Sequence, residues 1–94
     1  MSMNKADFVA QLADKMGGSK AEAERVVNFY HEIITDELKQ GGSVAFVGFG
    51  TYKAVDRKER KGRDPRTGSE ITIPAARVPQ FKAGKGLKDT VKAG

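Results

Sequence analysis

Up to Gly42 the apolar positions recur three and four apart, and beyond it the period shortens. Phe8, Val9, Leu12, Ala13 and Met16 make one stripe, which predicts an amphipathic helix capped by Asn4, with Asp7 in its first turn and Gly17-Gly18 as its stop. Ser19 and Glu22 have capping-box spacing and open a second helix, whose stripe is Ala23, Val26, Val27, Tyr30, Ile33, Ile34 and Leu38. Gly41-Gly42 ends it. Two amphipathic helices joined by a glycine pair predict an antiparallel helical hairpin over residues 4–42.

After Gly42 the chemistry is that of strands. Val44-Ala-Phe-Val47 is a continuous apolar run, suited to a strand covered on both faces. Gly48-Phe-Gly50 predicts a turn, and Thr51 to Val55 alternates as a second strand. Ile71-Thr-Ile73 resumes the pattern, Pro74 interrupts it, and Val78 to Phe81 supplies a third run. Leu87 and Val91, four apart, mark a short helix after Gly84 and Gly86. The expected order is ααβββα, an α+β fold in a single domain spanning 1–94. Its parts are the hairpin at 4–42, a three-stranded antiparallel sheet at 43–81 with a protruding β-arm at about 56–73, and a C-terminal helix at 83–92.

A domain of 94 residues buries a modest share of its surface. Three short strands backed by two helices can cover one sheet face only. Phe46, Val47, Phe49, Val78 and Phe81, with Val44, offer more apolar surface than that, so a homodimer core at these positions is expected. The alternative is a monomer whose third helix folds back over them.

Between the second strand and Ile71 lies DRKERKGRDPRTGSE, fifteen residues with none from the hydrophobic set. Asp64-Pro65-Arg66-Thr67-Gly68 has turn chemistry, Asp first and Pro second, so the flanks read as two legs of a hairpin. A polar loop of this length inside a small domain is usually functional or disordered. Net charge is +5, and it is uneven: residues 1–42 carry five Lys/Arg against seven Asp/Glu, residues 43–94 twelve against five. Arg57, Lys58, Arg60, Lys61, Arg63 and Arg66 concentrate the excess in the arm, facing Glu59 and Asp64 alone. Such asymmetry points to a polyanionic partner, with binding driven by release of counterions. Arginine suits a narrow, electronegative minor groove. Pro65 at the tip offers a rigid apolar ring, shaped to wedge between base pairs or simply to make the turn.

Other classes find little support. The chain has no cysteine, so disulfides and thiolate metal sites are excluded, and a reducing cytoplasmic setting is the expectation. The N-terminus lacks a signal-peptide pattern, and no apolar run approaches the ~20 residues that span a bilayer. His31 is the single histidine and flanks a helical stripe, which suits a packing role better than a general base. Gly48-Phe-Gly50 lacks the third glycine of a dinucleotide fingerprint, and Gly84-Lys85 is followed by Gly86 where a phosphate loop needs Ser or Thr. Asp36 and Glu37 are adjacent on a helix and point apart. No enzyme, cofactor or metal site is expected. Membrane lipid is disfavoured because the arm has no aromatic or aliphatic side chain between Asp56 and Glu70. RNA bound through its phosphates stays open as an alternative partner.

Gly48-Phe-Gly-Thr-Tyr52, the arm with Gly62-Arg-Asp-Pro-Arg-Thr-Gly68, and Phe81-Lys-Ala-Gly-Lys-Gly-Leu-Lys88 together resemble the bacterial HU/integration host factor family of histone-like DNA-binding proteins. The resemblance runs from about Met3 to Lys92. It implies an intertwined dimer that binds double-stranded DNA, with bent, nicked or junction DNA preferred, and that resides in the bacterial nucleoid. HU and integration host factor are standard examples of minor-groove architectural proteins that bend DNA by intercalation. By position, the resemblance makes Pro65 the intercalating wedge, places Arg57, Lys58, Arg60, Lys61, Arg63 and Arg66 along the arm, and sets Arg77, Lys82 and Lys85 against phosphates from the body. HU-like binding with little sequence preference fits better than site-specific integration host factor behaviour. Two positions depart from the family pattern: Asp64 stands where asparagine is usual, and Tyr52 where phenylalanine is.

Overall fold

The computed structural model describes residues 2–94 and divides into two compact units, Met1–Asp36 and Glu37–Gly94. Helix α1 (Lys5–Met16) and most of helix α2 (Lys20–Lys39) make the first. Asn4 closes a full capping box: its side chain accepts from the Asp7 N–H at 2.9 Å, and the Asp7 carboxylate accepts from the Asn4 N–H at 3.2 Å. Ser19 Oγ accepts from the Glu22 N–H at 3.1 Å. Both helices end in paired bonds that satisfy their last carbonyls, Gly18 N–H to Ala13 O with Gly17 to Asp14, and Gly42 N–H to Glu37 O with Gly41 to Leu38.

The expected stripes are present, but the protomer covers only part of them. Val9, Ala13, Ala23 and Val27 form the core cluster with Leu12 packed against it, and Ile34 is also buried. Phe8, Met16, Val26, Tyr30 and Ile33, from the same two stripes, remain exposed. Each helix therefore carries an apolar band wider than the face its neighbour covers.

The expected three-stranded antiparallel sheet is present, and the two legs of the arm add strands of their own. Strands β1 (Ser43–Phe46), β2 (Gly50–Arg57) and β5 (Ala76–Ala83) form an antiparallel sheet in the order β1-β2-β5. The charged arm contributes a separate antiparallel ladder, β3 (Arg60–Arg63) with β4 (Glu70–Ile73). The last sheet strand extends two residues on either side of the Val78–Phe81 run, because β2 supplies eight partners in register from Gly50↔Ala83 to Arg57↔Ala76. Pairing thus outlasts the apolar signal. The turn also lies earlier than Gly48–Gly50: it closes by Phe49 N–H to Phe46 O at 2.9 Å, which removes Val47 from the strand and leaves it fully exposed.

The two glycine motifs of this unit meet backbone to backbone. The Gly84 N–H donates to Phe49 O at 2.8 Å and the Leu87 N–H to Gly48 O at 3.0 Å, so the turn's carbonyls satisfy donors at the start of helix α3 (Lys85–Ala93). A Cβ on Gly84 would lie 2.9 Å from the Gly48 carbonyl carbon, and one on Gly86 2.8 Å from its oxygen. Gly50 is buried, and a Cβ there would meet the Phe81 ring and come 2.8 Å from the Lys82 carbonyl oxygen. Close approach, not nucleotide binding, accounts for these glycines. Gly50→Ala is expected to lower stability by about 1–3 kcal/mol through overpacking against fixed backbone, as read by denaturant unfolding; an unchanged midpoint would refute the close-packing account.

Candidate nucleic-acid interface

Because side chains alternate across a strand, the register sorts the sheet into two chemically distinct faces. One carries Val44, Phe46, Tyr52, Ala54, Pro79 and Phe81. Here the Tyr52 ring lies 4.8 Å from Phe81 and 6.5 Å, edge-on, from Phe46, while Phe49 reaches Phe81 at 5.8 Å. These spacings suit tilted and edge-to-face aromatic pairs. The opposite face carries Ser43, Thr51, Lys53, Arg57, Gln80 and Lys82, with Val55 opposite Val78. Lys53, which the sequence reading passed over, thus joins Arg57 and Lys82. Its signal was available in the alternation of Thr51 to Val55. Val78, expected in one apolar patch with Phe46 and Phe81, lies across the sheet from them.

At the root of the arm, Lys58-Glu59 on one leg and Pro74-Ala75 on the other interrupt the pairing symmetrically. Proline cannot donate to a ladder, so the break is written into that leg. Beyond it, Lys61 and Arg63 share a face with Glu70 and Thr72, whereas Arg60 and Gly62 share the other with Ile71 and Ile73. The Lys61 ammonium donates to Thr72 Oγ1 at 3.2 Å and lies 3.9 Å from Glu70 Oε1. Arg57, Lys58, Arg60 and Lys82 have no ion pair among the described residues.

The tip is closed by a five-residue turn over Asp64 to Gly68. The Gly68 N–H donates to Asp64 O at 2.7 Å, and the Asp64 N–H donates to Ser69 O at 2.8 Å. Gly68 occupies the left-handed region at φ 72°, which only a residue without Cβ adopts freely. The Asp64 carboxylate folds back to accept from the Arg66 N–H at 2.8 Å, and Arg63 Nη1 donates to Gly68 O at 3.1 Å. Pro65 is left exposed at the apex.

Arg77 is placed otherwise than the other expected cations. It pairs with Asp56 on the aromatic side of the register, its Nε 2.8 Å from Asp56 Oδ1, and its Nη1 donates to the Lys39 carbonyl at the end of α2 at 2.9 Å. Most of the guanidinium fork is occupied within the chain, and its plane lies over Gly41. Arg77 therefore serves as a strut between the arm root and the last turn of α2, a role that sequence spacing does not disclose. The hydrogen bond from Arg77, and then its charge, hold the Asp56 carboxyl below the usual carboxylate range; Asp56 in turn raises Arg77.

Lys85 pairs with Asp89 one helical turn on, at 2.9 Å. With Lys82 and Lys88 it edges an open groove of about 600 Å³ whose other walls include Ala45, Phe46, Gly48 and Thr51. His31 meets the Tyr30 ring edge at 5.8 Å. Among the described residues no cluster of three or more His, Cys, Asp or Glu could hold a metal, and no helix is long and apolar enough to cross a membrane.

Residues 3–92 match the family described as bacterial DNA-binding protein. DNA-binding protein HRm of Rhizobium meliloti is 53% identical over 95% of this chain and 99% of its own length. DNA-binding protein HU-1 of Halalkalibacterium halodurans is 48% identical over 96% and 100%. The HU chain of an Anabaena HU–DNA cocrystal superposes with a TM-score of 0.88 at 38% identity, covering 98% of this chain and all of its own. HU from Thermotoga maritima gives 0.68 at 30% identity, over 95% and 98%.

The Asp56–Arg77 pair carries a pH signature. A carboxyl lowered by folding contributes stability that is fully present above its unfolded value, about 3.9, and is lost as pH falls through the lower folded value. Asp56→Asn is expected to cost stability at neutral pH and to cost less as the pH drops below about 4. Thermal melts of both forms at pH 7 and pH 3 check this, and parallel losses at both would contradict it.

Proposed function

The chain belongs to the bacterial DNA-binding protein family, and from that premise we propose that it is an architectural protein of the bacterial nucleoid that binds double-stranded DNA with little regard to sequence. Two copies clamp the minor groove between cationic arms and bend the duplex by inserting Pro65 at each tip. The carrying observation is the alignment of Lys53, Arg57 and Lys82 on one sheet face with an arm whose exposed apex is Pro65. A surface of this kind tracks phosphates without reading bases. A proline at a turn apex has no N–H to desolvate on entering a base step. The Anabaena HU relative is known in a cocrystal with DNA, in keeping with this reading.

The proposed phosphate and groove contacts are Lys53, Arg57, Lys58, Arg60, Lys61, Arg63, Arg66, Lys82 and Lys85, with Lys88 beside them and Arg77 as the strut that aims the arm. The protein acts in the cytoplasm by binding and deforming, without catalysis. Flexible or already distorted sites cost less to bend and are preferred.

The chain works as a dimer in which residues 1–94 form one DNA-binding domain. Support comes from the apolar side chains each protomer leaves uncovered, Phe8, Phe29, Ile33, Phe46, Phe49 and Phe81 among them. Exposed apolar side chains clustered within a unit, as Phe46, Phe49 and Phe81 are through Tyr52, mark an interface in a protein that stays soluble. Val47 joins it from the exposed turn, whereas Val78 lies on the cationic face and falls outside it.

Gel-shift titration against linear, nicked and four-way-junction DNA should show tighter binding to the last two, with log K falling steeply against log salt. Arg63→Gln should shallow that slope by about two in a dimer, about one per protomer. Pro65→Ala should bind with similar salt dependence but close small DNA rings less efficiently; unchanged ring closure would remove the wedge role. Sedimentation of Phe49→Asp should give a monomer with much weakened DNA binding, and a persistent dimer would remove that residue from the interface.

A further inference from the structure

Asp64 is the one anionic side chain at the arm tip, directly before the exposed Pro65. Resting on the DNA-binding reading above, we propose that Asp64 is a specificity-determining residue: its carboxylate opposes entry of the tip into an intact minor groove and so raises the preference for duplexes that are already open.

The carboxylate is held in place. Oδ1 accepts from the Arg66 N–H at 2.8 Å, and the side chain is 24% exposed, so Asp64 cannot turn away from the apex without undoing the bond that shapes it. Its countercharge is held less firmly. Arg66 Nε lies 3.8 Å from the same oxygen, and the Arg66 side chain is 87% exposed, free to swing toward a phosphate. Arg63, the other cation near the tip, donates to the Gly68 carbonyl. Thr67 and Ser69 are neutral, joined through the Ser69 N–H to Thr67 Oγ1 at 3.2 Å. Once Arg66 engages DNA, the Asp64 charge loses its ion-pair partner, and the one cation left beside it, Arg63, is turned to the Gly68 carbonyl.

The minor groove is about 6 Å wide and its floor presents mostly acceptors. An ionised carboxylate carried to it has no proton to donate and approaches phosphates on both walls. The repulsion is largest where both backbones are continuous and the protein must itself open the groove. At a gap that lacks a nucleotide and its phosphate, one wall is interrupted and the groove already yields, so the same carboxylate costs less. The difference appears as selectivity, since discrimination can be built from a repulsive element as well as an attractive one.

Asp64→Asn separates charge from shape, because the amide oxygen still accepts from the Arg66 N–H while the NH2 gains a donor for the groove floor. Affinities of the wild type and this variant are measured by anisotropy on a short intact duplex and on the same duplex with a single-nucleotide gap. Affinity for the intact probe should rise about tenfold and for the gapped probe about twofold, narrowing the ratio about fivefold. An equal rise on both probes, or none, overturns the proposal. In a Pro65→Ala background, where no wedge enters, the substitution should leave the ratio unchanged, an outcome that a purely structural role of Asp64 would not produce. Should the Asn variant melt early, Asp64→Ser keeps a short acceptor without charge and must narrow the ratio in the same way. If the wild type binds neither probe, the DNA-binding reading itself fails; if it binds both and the variants keep the wild-type ratio, only the role of Asp64 fails.

Discussion

The antiparallel register of β2 against β5 is the constraint on which the second unit depends. Eight residues pair from Gly50↔Ala83 to Arg57↔Ala76, and that phase alone sends Tyr52 and Phe81 to one side and Lys53, Arg57 and Lys82 to the other. A slip of one residue would exchange the faces, placing ammonium groups against aromatic rings. Several local features pin the phase. Gly50 admits the Phe81 ring and the Lys82 carbonyl at a distance no other residue allows. Asp56 and Arg77 meet as a charged pair at the far end. The turn at Val47–Phe49 and the start of α3 then join through the Gly48 and Phe49 carbonyls.

Continuity of charge along the arm follows from the same ladder. Where β2 and β5 stop pairing, Pro74 enforces a break, and β3 with β4 resumes beyond it as an independent ribbon. A two-stranded ribbon by itself is marginal in water. This one is supported by the Lys61–Thr72 bond across it, by Ile73 packing over Gly62, and by the closed hydrogen bonding of the tip. Its cations are spread over two faces, Arg60 on one and Lys61 and Arg63 on the other. The core is thin: among the described residues five hydrophobic ones are buried, and thirteen large ones are exposed.

Much of this was legible in the sequence because the relevant signals are local. Asn4, Ser19 and the glycine pairs mark both helices, since caps and stops act within a turn of the chain. The arm and its apex could be read from one uninterrupted polar run with Asp64-Pro65 in its middle. Where the structure places a residue otherwise than the sequence suggests, the cause is the same. Arg77 looked like a phosphate ligand because its charge is visible and its partners are not: Asp56 is twenty-one positions away and Lys39 thirty-eight. Val78 looked like part of the Phe81 patch because a short apolar run does not disclose its phase. Lys53 was overlooked because a lone lysine in a strand acquires meaning only from what faces the same way.

The sequence by itself determined where helices start and stop, where the positive charge accumulates, and that a proline crowns the arm, because each of these depends on neighbours within a few residues. Tertiary structure alone decided which cations stand together, which one is spent as a strut, and that the Asp64 carboxylate turns inward at the tip. Those outcomes rest on pairings between distant segments and on how a turn closes in three dimensions, and a linear pattern of residue types does not contain that phase.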